Sequence, residues 1–70
     1  MGFYPIGAVQ LFGDAYNLVQ VGAPDEALKA SLDILHKHLV ENPPAAPEWT
    51  EVRQQCEDPS VFRERWKVSS

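Results

Sequence analysis

Apolar positions in the N-terminal part of the chain recur at the spacing of a single helical face. At about 100° per residue, Ala8, Val9, Leu11, Phe12, Ala15, Tyr16, Leu18 and Val19 fall on one side, opposite Gln10, Gly13, Asp14, Asn17 and Gln20. The competing pattern is a β-hairpin turning at Gly13-Asp14. It needs strict alternation, which the run from Tyr16 to Val21 breaks by setting Leu18 beside Val19 and Gln20 on the Tyr16 face. A helix over 8–21 is therefore predicted. Gly13 lies on its polar side, at a cost of about 1 kcal/mol relative to alanine. Gly22 ends it, because glycine accepts the left-handed conformation common just past a helix terminus.

The next stretch carries the firmest helical pattern, over 24–41. Pro24 suits a first turn, Asp25 and Glu26 sit near the positive end of the helix dipole, and Lys37 and His38 near the negative end. Leu28, Leu32, Leu35 and Leu39 form a stripe widened by Ala27, Ser31 and Ile34, while Glu26, Lys29, Asp33 and Lys37 point outward. With only Gly22-Ala23-Pro24 between them, two amphipathic helices must fold back as an αα-hairpin. The segment 42–47 holds three prolines and cannot continue the helix, so it is read as a stiff connector. Two short helices follow, over 48–56 with Trp49, Val52 and Cys56 on one face, and over 59–67 with Val61, Phe62 and Trp66 inward behind an Asp58-Pro59 cap. Helices this short are unstable alone and must rest on the hairpin or on another chain. The expected fold is all-α, a small bundle forming one domain over 1–70.

Size sharpens this picture. At 70 residues, folding buries only about 60% of the unfolded chain's surface, and burial and chain entropy nearly cancel unless a disulfide, a metal or a partner contributes. The single cysteine, Cys56, rules out an internal disulfide and suits a reducing cytoplasm. The net charge of −4, with ten carboxylates spread along the chain, disfavours nucleic-acid binding, which needs concentrated positive charge. Phe3 to Ala23 has no preceding positive segment and is interrupted by Gln10, Asp14, Asn17 and Gln20, a pattern of neither signal peptide nor membrane span.

Phe12-Gly13-Asp14-Ala15-Tyr16 followed by Asp25-Glu26-Ala27-Leu28 resembles the first-helix and second-helix signatures of a tetratricopeptide repeat. The resemblance covers roughly half of the chain and implies peptide or protein binding. The sequence departs from that pattern in several places. The interval from Tyr16 to Ala27 is longer, Val9 stands in place of tryptophan, Ser31 and Ile34 replace an aromatic residue and alanine, and no second unit follows.

Catalytic or metal chemistry finds little support in the pattern. His36 and His38, two apart on a helix, project about 200° from each other and cannot share one ion unaided. His38 lies beside the leucine stripe and is read as a partly buried packing residue with a nearby hydrogen bond. Cys56 has no adjacent base, and Glu57 and Asp58 are expected to raise its pKa. No cofactor motif is present, and the chain is read as non-enzymatic. Its only basic-aromatic cluster runs from Val61 to Lys67. Three readings of that cluster stand: base stacking, a protein interface rich in Trp and Arg, or plain packing of Phe62 on Trp66 with solvated arginines. Trp49, Phe62, Arg63, Arg65 and Trp66 are taken as candidate partner-binding residues, with the face around Gln10, Asn17 and Gln20 as the alternative surface. The expected function is that of an accessory subunit or inhibitor of a larger intracellular protein. A regulator of viral origin fits the same profile, as does a cellular subunit. A homo-oligomer held by the poorly charged first helix is the rival reading, and a small enzyme or metal-binding protein the third.

Overall fold

The computed structural model describes residues 6–68. Four α-helices follow one another: α1 (Ile6–Gln20), α2 (Asp25–Glu41), α3 (Glu48–Gln55) and α4 (Pro59–Trp66). No strand occurs among the described residues. The opening ambiguity resolves to a helix running through Gly13, and α1 begins two residues earlier than its pattern implied. Its C-terminus is closed by Gly22 at φ 70°. Gly22 N–H donates to the Val19 carbonyl at 3.2 Å and Ala23 N–H to the Leu18 carbonyl at 2.9 Å, the paired bonds of a Schellman motif. Pro24 precedes α2 in an extended conformation instead of occupying its first turn.

The hairpin buries Ala8, Ala15 and Val19 of α1 against Leu28, Leu32, Leu35 and Leu39 of α2. The two alanines are fully buried, and their small side chains let the helix backbones approach closely where larger residues would hold them apart. Gly7 serves the same approach one residue earlier. A Cβ added there would lie 2.8 Å from Cε1 of the half-buried His38 ring, so the imidazole packs directly on the α1 backbone. The hydrogen bond expected for that ring is not found among the described residues. Val52 and Cys56 at α3 and Phe62 of α4 complete the core, each short helix resting on α2. Asp58 caps α4 by accepting from Ser60 N–H at 2.9 Å, as its position before Pro59 implied.

Two apolar residues assigned inward are not. Ile34 is 58% exposed and Val61 49% exposed. The buried part of α2 is the narrow leucine stripe alone, and an eight-residue α4 contributes one fully buried anchor, Phe62, so positions one residue away from these turn to solvent. Gly13 is the informative substitution in α1. Its φ is not positive, and a Cβ there would meet nothing within 4 Å. Gly13→Ala should therefore raise stability by up to about 1 kcal/mol. A thermal melt checks it, and a loss of stability would contradict a continuous helix through this position.

Candidate functional site

An open cleft of about 330 Å³ lies between α1, α3 and α4. Its existence follows from the packing order. Both α1 and α3 rest on neighbouring helices, yet no pair of their Cα atoms comes within 8 Å, so only long side chains such as Phe12 and Trp49 meet across the space between them. Val9 and Phe12 form one wall, Trp49 and Val52 the other, and Trp66 closes the α4 side, with Glu48, Glu51 and Arg65 around them. The Phe12 ring is the hub of this region. It meets Trp66 edge-on at a centroid distance of 5.0 Å, Phe62 at 5.8 Å and Trp49 at 6.1 Å, separations and angles at which aromatic pairs attract beyond simple burial.

The α3–α4 wall is fixed by a closed polar circuit. Trp66 Nε1 donates to Gln55 Oε1 at 2.6 Å, Gln55 Nε2 donates to Glu51 Oε1 at 2.8 Å, and Arg65 Nε donates to the same Glu51 oxygen at 3.2 Å. The Arg65 guanidinium then lies 4.2 Å from the centroid of the Trp66 ring and completes the loop. Gln55 is the one buried polar residue among those described, and both ends of its amide are satisfied. Each member restrains its neighbours, so Trp66 is held in one orientation before anything enters the cleft.

The structure divides the five candidate binding residues. Trp49, Arg65 and Trp66 line the cleft. Phe62 is 0% exposed and lies beneath it as core. Arg63 turns away and joins α4 to the α1–α2 turn, donating through Nη2 to the Ala23 carbonyl at 2.7 Å and to Asp25 Oδ1 at 2.9 Å. On the alternative surface, Gln10 and Asn17 are exposed, but the Gln20 amide is engaged. It donates to the Trp66 carbonyl at 2.8 Å and accepts from Val68 N–H at 3.2 Å. Sequence reasoning passed over Val9, Phe12, Glu51 and Gln55 as site residues. The available signal was weak: Val9 and Phe12 read simply as part of an apolar face, and Gln55 sits between two inward positions, Val52 and Cys56.

Cys56 is buried, and its thiol is pushed up to about 12, first by burial and second by the Asp33 carboxylate of α2. The neighbours expected to act, Glu57 and Asp58, are not the cause. Such a thiol stays protonated at neutral pH and packs as a small apolar group. Among the described residues no group of three or more His, Cys, Asp or Glu side chains is placed to hold a metal ion. No helix among them is long and apolar enough to cross a membrane. No protein-family model matches the chain, no curated protein matches its sequence, and no solved structure matches its fold. The tetratricopeptide likeness thus rests on the hairpin residues alone.

Proposed function

We propose that the chain is a non-enzymatic protein-interaction module, an accessory subunit or inhibitor that receives an apolar side chain of a larger protein in the α1–α3–α4 cleft. The observation that carries this reading is a pre-formed apolar depression walled by two half-buried tryptophans, one of them locked by the Trp66–Gln55–Glu51–Arg65 circuit. Tryptophan and arginine are the residues on which binding energy concentrates, and a wall already ordered loses little entropy on binding. At about 330 Å³ the cleft is at the small end of ligand pockets, which run from about 300 to 1,000 Å³. It suits one or two protruding side chains better than a cofactor. A single buried thiol supports a reducing, cytoplasmic setting.

Trp49→Ala and Trp66→Ala should each weaken recovery of a co-purifying protein from native extract. Loss of an anchor of about 2 kcal/mol corresponds to roughly thirtyfold in affinity. Circular dichroism first establishes that each variant is folded. Full binding by both folded variants would place the interface outside the cleft. Self-association is a second reading, favoured by Ile6 and Val9, exposed at 66% and 44% and one turn apart on α1. Sedimentation at low concentration separates the two, because the interaction module is a folded monomer.

A further inference from the structure

We infer that the occupant of this cleft is an amphipathic helix of another protein, with bulky apolar residues along one ridge and lysine or arginine beside them. The inference rests on the interaction reading above and adds the chemistry of the partner. The floor and walls supplied by Val9, Phe12, Trp49, Val52 and Trp66 ask for apolar side chains. The rim specifies charge. Arg65 is neutralised by Glu51 and laid over the Trp66 ring, whereas Glu48 pairs with no cation among the described residues, which leaves the rim with one net negative charge. Only Oε1 of Glu51 is engaged by Arg65 and Gln55, so its second oxygen adds a hydrogen-bond acceptor on the same side.

The whole chain carries a net charge of −4. That field draws in a basic partner and repels a second copy of the chain. Binding by strand addition is the weaker fit, because it depends on an exposed sheet edge and the walls here are helices, whose backbone groups are already paired. A helix needs no backbone partner and can present two side chains one turn apart, at i and i+3 or i+4, to a cleft that takes one or two.

A displayed library of random peptides several helical turns long, selected on the immobilised chain, tests this without knowledge of the natural partner. Binders should carry apolar residues at helical spacing with Lys or Arg adjacent. A synthetic peptide of selected sequence should then quench or shift the tryptophan emission. Two exposed positions separate the contributions. Val9→Gln, neutral and polar at the cleft edge, should abolish the selected binding. Glu48→Lys should weaken it about fivefold at low salt, the fold-change of a rim ion pair near 1 kcal/mol, and a peptide with its basic residues changed to Glu should recover on that variant. Glu48→Gln, gentler to the first turn of α3, should give an intermediate loss.

Binders that lack basic residues, or that ignore both Glu48 variants while remaining sensitive to Val9→Gln, would overturn the charge assignment and leave the cleft as the binding site. Absence of any peptide that distinguishes the native chain from Val9→Gln would overturn the interaction reading itself. A native dimer that Val9→Gln converts to monomer would make the occupant a second copy.

Discussion

Phe62→Ala should cost the fold about 3–5 kcal/mol, more than truncation of any other aromatic among the described residues. Phe62 is the only fully buried aromatic side chain among the described residues, and it lies where α4 meets both α2 and the Phe12–Trp66 pair. Removing its ring leaves a cavity beneath the cleft and takes away one of the three edge-on partners of Phe12. Domains of this size start from thin stability, so the variant should be largely unfolded at room temperature. Phe62→Leu, which keeps most of the apolar volume, should recover much of the loss. Urea titration followed by circular dichroism provides the comparison. A cost below about 1 kcal/mol for the alanine variant would mean that α4 does not seat on the hairpin as described.

The second large effect is alkaline. The Cys56 thiol, ordinarily near 9, stands at about 12 in the folded chain, so between those values the unfolded chain has lost a proton that the folded chain keeps. Stability from this group is whole below pH 9 and should fall by up to about 1.4 kcal/mol per pH unit as pH climbs toward 12. Asp33 sharpens the effect, since a thiolate formed in place would sit near an existing carboxylate. Cys56→Ala removes the titrating group at modest packing cost. Its stability should decline less steeply over the same pH range, and the difference between the two slopes isolates the contribution of Cys56. Parallel slopes would mean that the thiol is reachable by water.

Local signals carried the elements and their order because each was written within a few residues of its effect. Gly22 ends α1, the leucines at 28, 32, 35 and 39 define the buried stripe of α2, the prolines between 43 and 47 interrupt the helices, and Asp58 caps α4. The cleft was out of reach for the opposite reason. It is the space left where α1 and α3 meet only through side chains, and its walls join Val9 and Phe12 to residues between Glu48 and Trp66, far along the chain. The tail was legible as a Trp- and Arg-rich patch. The pattern could not divide it into a core residue, Phe62, a latch, Arg63, and two cleft residues, Arg65 and Trp66, because neighbouring residues on a short helix point in different directions. Ile34 and Val61 erred in the same way: apolar character marks what could be buried, and the width of the covering layer decides what is.

The ties that hold α4 also set the order in which the molecule comes apart. Arg63 reaches back 40 residues to the Ala23 carbonyl and Gln20 reaches forward 46 to the Trp66 carbonyl, whereas α1 and α2 are joined by a tight turn with its own closing hydrogen bonds. The hairpin, built on local contacts, should form early, and α3 and α4 should dock late and be released first. Amide protons of the two short helices should exchange through openings that leave the hairpin intact. Since the cleft has walls in both units, mild destabilisation would erase it while most of the chain's helicity persists.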